Sequence, residues 1–154
     1  MRAILMMVMV AVVSMVAGCA DSGSSSGRTP LNYHSSLSAE HDAKFQQSMD
    51  VWEAVTGINL FDPLGRGASV SYGYVDPPNI AWTFDSGDIV FEENHAFSEY
   101  CSGDDPFGAF ALHELCHAIG LSHSPDPDSV MYIPIRRCVL PSPEDIAAVR
   151  ELWE

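Results

Sequence analysis

The chain predicts a small α+β domain, and three observations carry that prediction. A helical repeat of apolar residues comes first, over residues 38–55. Four short β-rich runs follow, broken by Gly, Pro and Asp. Two further helical stretches then occupy the C-terminal third. A helix, a group of short strands and two further helices together describe the α+β class.

In the first helix Phe45, Met49, Trp52 and Val55 recur at three- and four-residue spacing, so they share one face, and Ser38 is a suitable N-cap. The β-rich runs are Ile58–Phe61, Ser69–Val75, Ile80–Phe84 and Asp88–Glu92. The second helix is expected from about Phe107 to Ile119, with Leu112, Leu115 and Ile119 toward the core. Residues 124–141 are proline-rich and irregular, as suits a loop that builds a pocket. The closing helix spans about Pro143 to Trp153, with Pro143 in its first turn and Ile146, Val149, Leu152 and Trp153 packing it down. There are no internal repeats and no phosphate-binding glycine loop.

The second helix carries H-E-x-x-H-x-x-G-x-x-H, written here HELCHAIGLSH from His113 to His123. Residues four apart lie on one helix face, so His113 and His117 can direct ring nitrogens at a single ion. A third ligand from the next turn would overshoot. Gly120 resolves this, because glycine accepts the left-handed backbone that ends a helix, and the chain can return with His123. Glu114 projects from the flank, in reach of a metal-bound water without ligating. Three protein ligands and a free fourth position describe a catalytic Zn²⁺ site, and the spacing implies metal-assisted amide hydrolysis with Glu114 as general base.

This motif resembles the metzincin zinc endopeptidases, and finer features resemble the matrixins among them. Ser124 follows the third histidine. Ser129-Val130-Met131-Tyr132, followed by Ile133-Pro134, is similar to the matrixin Met-turn A-L-M-Y-P, which places Met131 beneath the ligands. The terminal LPSPEDIAAVRELW is similar to L-S-x-D-D-I-x-x-I-x-x-L-Y. The likeness is specific over residues 109–153 and topological over residues 37–100. It implies a metzincin-like fold: a small twisted mixed sheet packed with an N-terminal helix, the zinc-binding helix, the Met-turn and a C-terminal helix. It implies a zinc-dependent endopeptidase acting on proteins or peptides. It also assigns the last strand, Ile89, Val90, Phe91 and Glu92, to the sheet edge that holds an extended substrate. Tyr132 directly follows Met131, the matrixin arrangement, and is not expected to ligate. The P-R-C-G-x-P-D latency segment does not occur, and His34, His41 and His95 are scattered, so one zinc is expected rather than two. The SGDDPFG loop around Asp104 and Asp105 reads as a plain turn, with Ca²⁺ the weaker alternative.

Arg2 and an apolar run from Ala3 to Ala17, broken only by Ser14, have the length of a signal-peptide core rather than a membrane span. The run ends Val16-Ala17-Gly18-Cys19, which resembles the bacterial lipobox. The expected organisation is a signal peptide over 1–18, a lipidated Cys19 with a Gly/Ser-rich tether over 19–36, and a catalytic domain over 37–154. Ala20, rather than aspartate, follows Cys19, so the outer membrane or cell surface is favoured over the inner membrane. In that oxidising compartment one disulfide is expected. Cys101–Cys138 is preferred, Cys101–Cys116 is the alternative, and spacing alone does not decide. Cys116 lies within the zinc helix and reads as a small buried hydrophobe.

The formal charge is −14, becoming −15 (21 acidic against 6 basic residues) once the segment holding Arg2 is removed. Such a surface disfavours nucleic acid and anionic headgroups. It mildly favours cationic partners, although solubility alone accounts for it. A monomer is expected. The competing functional class is a non-catalytic zinc-binding lipoprotein that serves as a partner-binding module, and an intact Glu114 argues against it.

Overall fold

The computed structural model describes residues 28–154 except 94, 95 and 100. The expected signal peptide, Cys19, residues 20–27 of the expected tether and His95 lie outside the described residues. Four strands and three helices make the fold: β1 (Leu31–Ser35), α1 (Ala39–Thr56), β2 (Arg66–Gly73), β3 (Ala81–Thr83), β4 (Ile89–Glu92), α2 (Pro106–Ile119) and α3 (Pro143–Trp153). A 3-10 turn at Phe97–Glu99 precedes α2. No helix among the described residues is long and apolar enough to cross a membrane.

The sheet order is β1-β2-β4-β3. β1 and β2 pair in parallel, as do β2 and β4, while β3 runs antiparallel to β4 with Trp82 opposite Val90. This order corrects the expected substrate strand. Ile89, Val90, Phe91 and Glu92 form β4, which is hydrogen-bonded on both sides and has no free edge. The edge beside α2 is β3, because the chain turns back at Asp85–Gly87 and slots β4 inside its predecessor.

Two other departures have local causes. Ile58–Phe61 forms no strand; Leu31 N–H donates to Leu60 O and only Phe61 makes a bridge, to Leu31. The first strand lies instead at Leu31–Ser35, ahead of residue 37, where the sequence places the start of the domain. Only Leu31 in it is fully buried, so it lacks the alternation that marks a half-buried strand.

Ser38 caps α1, its hydroxyl accepting from His41 N–H, and α1 buries Phe45 and Trp52 completely. Asp105 caps α2 by accepting from Gly108 N–H, and Lys44 lies 3.3 Å from it, so the acidic loop is committed to a helix terminus. Gly108 leaves room for that cap, since a Cβ there would collide with the Asp105 carboxylate. α2 is buried on nearly every side, against β3 and β4 on one flank and α1 on the other. Val70, Ile89 and Phe91 of the sheet complete the core with Leu112, Leu115 and Ile119. His41 lies flat on Phe107, ring centroids 3.9 Å apart, and accounts for itself as an aromatic packing element.

Two indoles fasten α2. Trp52 Nε1–H donates to Leu112 O, and Trp153 Nε1–H donates to Ile119 O, each at 3.0 Å and buried. The second satisfies a carbonyl that the helix end leaves without an internal partner. A disulfide joins Cys101, ahead of α2, to Cys138, beyond the Met-turn, and Cys116 is a buried free thiol.

Candidate metal centre and catalytic cleft

Gly120 ends α2 at φ +113°, a left-handed conformation, and its N–H donates to Cys116 O and His117 O. The reversal brings His123 back beside the helix. The ligating atoms of His113, His117 and His123 all lie within 4.8 Å of one another, the one such grouping among the described residues.

Each helical histidine is oriented by a backbone carbonyl. His113 Nδ1 lies 2.8 Å from Val130 O, and His117 Nδ1 lies 2.8 Å from Leu121 O. A carbonyl can only accept, so Nδ1 carries the proton in both rings and Nε2 offers a lone pair. Burial drives His113 down to about pKa 4 and also lowers His117, so both rings are neutral at pH 7. His117 Nε2 and His123 Nε2 are 3.1 Å apart. Two ligands held 2.0–2.1 Å from a tetrahedral ion stand roughly 3.3 Å apart, so this pair is spaced for a Zn²⁺-type ion, and the three-imidazole donor set is of the kind Zn²⁺ takes.

Glu114 is 6% exposed, and desolvation raises its carboxyl to about pKa 7. Thr83 of β3 opposes that rise, donating its hydroxyl to Glu114 Oε2 at 2.6 Å. One carboxylate oxygen is thereby fixed and the other is left for chemistry. Thr83 was not legible beforehand: a threonine in a β-rich run carries no local signal of what faces it across the fold.

Met131 is 1% exposed in the loop beyond His123. Its carbonyl accepts from Ser124 N–H at 2.9 Å, and its N–H donates to Ser129 Oγ at 3.0 Å. The loop is held by Asp145 of α3, a buried carboxylate. Oδ1 accepts from Ser129 Oγ at 2.6 Å, while Oδ2 accepts from Val130 N–H at 3.0 Å and Ser142 N–H at 2.9 Å. Val130 is also the residue whose carbonyl orients His113, so Asp145 supports the ligand through one intervening residue. Its signal in the sequence was Ser142-x-x-Asp145, a capping box at the start of α3.

The three histidines and Glu114 line a cavity of about 960 Å³, walled on one side by Trp82 and Thr83 of β3 and on the other by Ile133–Ile135. Behind His113 lies a second cavity of about 350 Å³, lined by Ala109, Val130, Tyr132 and Val139 among others. Ile135 belongs to both. The sequence-predicted ligands and base thus converge, with Met131 buried in the loop beyond His123, whereas Ile89–Glu92 does not reach the cavity as an edge.

The matrixin family model matches residues 79–154. Macrophage metalloelastase of Rattus norvegicus is 28% identical over 142 residues, covering 75% of this chain and 29% of the relative. Matrilysin of Felis catus is 38% identical over 68 residues, 44% of this chain and 24% of the relative. Stromelysin-1 of Mus musculus is 26% identical over 125 residues, 66% of this chain and 25% of the relative. The chain spans less than a third of the length of these relatives. With the family match covering α2, the Met-turn and α3, and with that geometry in place, the chain is a matrixin-like metzincin.

Proposed function

We propose that this protein is a zinc-dependent endopeptidase with Glu114 as general base, carried on the bacterial cell envelope by a lipidated Cys19. One observation carries the catalytic reading: three imidazoles converge beside a buried carboxylate in the wall of one open cavity. His113, His117 and His123 would hold the ion. When bound, zinc supplies Lewis acidity toward a carbonyl and lowers the pKa of a coordinated water to about 7. Glu114, with a proton affinity near neutrality, is suited to take that water's proton and return it to the leaving amine. The free edge of β3 borders the cavity, and an extended substrate would pair there as a further antiparallel strand.

The test is hydrolysis of a generic unfolded protein by the zinc-loaded full-length chain beside Glu114→Gln, with metal content measured on both. The variant should lose at least ~10²-fold activity while keeping one zinc. Equal activity in both would remove Glu114 from the reaction. No cleavage by either, at full zinc occupancy, would favour the binding-module class.

The signal peptide, lipidated Cys19 and tether belong to the same proposal. Residues 3–17 and the Val16-Ala17-Gly18-Cys19 junction support them. Cys19→Ala should abolish partitioning into a detergent phase. Unchanged partitioning would rule out the anchor.

A further inference from the structure

The net charge of −14 conceals an uneven placement. Six of the seven Lys and Arg residues are described: Arg28, Lys44, Arg66, Arg136, Arg137 and Arg150. Four of these six line the two cavities at the histidine site, Arg28 and Arg66 in the larger, Arg136 and Arg137 in the smaller. Of the 20 described acidic residues, the same linings take in only Asp85 and Glu114. In a strongly acidic molecule the cleft is the cationic place.

We infer that the cleft selects an acidic peptide segment, with Arg136 receiving a carboxylate at the mouth of the smaller cavity. The inference rests on the peptidase reading above and names its substrate class.

The partners of the four arginines separate their roles. Arg137 is neutralised by Asp128 at 2.6 Å and also donates to Pro127 O. Arg66 donates to Ser86 O. Arg28 donates only Nη1, to Ile119 O at 3.3 Å, so most of its five-donor guanidinium stays available. The Arg136 side chain has no hydrogen bond or ion pair among the described residues. It stands at the rim of a cavity whose walls include Ala109, Val130, Ile135 and Val139. That cavity adjoins the metal centre. Ala109 is one helical turn before His113, Val130 O orients His113, and Ile135 is the wall shared with the main cleft. A mainly apolar pocket, lined also by Tyr132 and Ser129, with an unpaired guanidinium at its rim suits a side chain with an apolar stem and a carboxylate end, as glutamate has. The acidic surface elsewhere repels such a segment, and the cleft cations orient it.

The experiment uses two labelled extended peptides of equal length and apolar content, one carrying Glu residues and the other Lys at the same positions. Binding is read by fluorescence anisotropy on the zinc-loaded full-length Glu114→Gln chain at low and high salt. The Glu peptide should bind at least about tenfold tighter at low salt, with the margin shrinking as salt rises. Adding Arg136→Glu should invert the order, a gain that a misfolded variant could not show. Equal binding, tighter binding of the Lys peptide, no binding of either, or an order unchanged by Arg136→Glu would each overturn the inference. Quenched versions of the peptides, offered to the wild-type chain, separate the two readings. An acidic peptide bound with preference but never cut would sink the peptidase and leave the charge selection standing. Cleavage without preference would do the reverse.

Discussion

Replacing Asp145 by alanine should disable the centre from a distance. The carboxylate accepts three donors, the Ser129 hydroxyl and the amides of Val130 and Ser142, in a buried setting. A hydrogen bond to a charged acceptor contributes about 1.5–3 kcal/mol net, and a capping box about 1 kcal/mol. These terms share one group and do not add. Removing a buried carboxylate also recovers its desolvation cost. The expected loss is therefore about 3–5 kcal/mol, against a total of about 5–15 kcal/mol for a domain of this class. Asp145→Asn should cost far less, about 1–2 kcal/mol. Its amide oxygen can take the place of Oδ2 and serve both backbone donors, while its NH₂ donates to Ser129 Oγ after that hydroxyl rotates. Urea unfolding of both variants gives the free energies, and competition with a chelator gives zinc affinity. Because Val130 O orients His113, Asp145→Ala should weaken zinc binding by about 10–100-fold. Stability within 1 kcal/mol of wild type, with unchanged zinc affinity, would refute the chain of support from α3 to the ligand.

Three other outcomes are expected. Thr83→Val should lower kcat by about tenfold with zinc retained, because Glu114 loses the hydroxyl that fixes Oε2, and Thr83→Ser should restore it; steady-state kinetics and metal analysis check both. Gly120→Ala should cost about 1–3 kcal/mol and reduce zinc affinity, since φ +113° is unfavourable for any Cβ and that Cβ would come within 2.8 Å of Arg28 Nη1; thermal melts with and without zinc read each part. His41 is held below its ordinary pKa, first by burial and also by Lys44, against the pull of Glu40 and Asp105. The unfolded chain therefore binds more protons below about pH 6.5, so this contribution to stability is present above that pH and is lost as pH falls through the folded value. Denaturation midpoints at pH 7.5 and 5.5 should fall less in His41→Phe than in wild type.

What could be read from the sequence was chemistry with fixed local spacing. His113, Glu114, His117, Gly120 and His123 sit within eleven residues, so helix geometry alone determines how the first three face, and the reversal at Gly120 accounts for His123. The α1 and α3 boundaries were legible because Ser38 suits an N-cap and Pro143 suits a first helical turn, each ahead of a periodic apolar face. What could not be read depends on pairing between distant segments. Ile80–Phe84 and Asp88–Glu92 are two neighbouring β-rich runs of similar character, and nothing within either says which lies outside. The answer comes from β2, whose parallel pairing with β4 pushes β3 to the rim. Leu31–Ser35 escaped for the opposite reason: it becomes a strand because β2 offers it an edge, not because its own pattern demands one. Arg28 and Arg136 are 108 positions apart, and their presence at adjoining cavities is a property of the fold alone.

The two indoles on α2 also give the protein its own optical channels. Of its three tryptophans, Trp52 and Trp153 donate to carbonyls of α2 from buried sites, while Trp82 stands half in solvent on the cleft's edge strand. Emission from the first two therefore follows the integrity of the helix that holds the ligands. Emission from the third follows what occupies the cleft. With Trp82→Phe as a reference, a spectral change on adding a peptide separates docking at the edge strand from rearrangement of the helix, with no label attached.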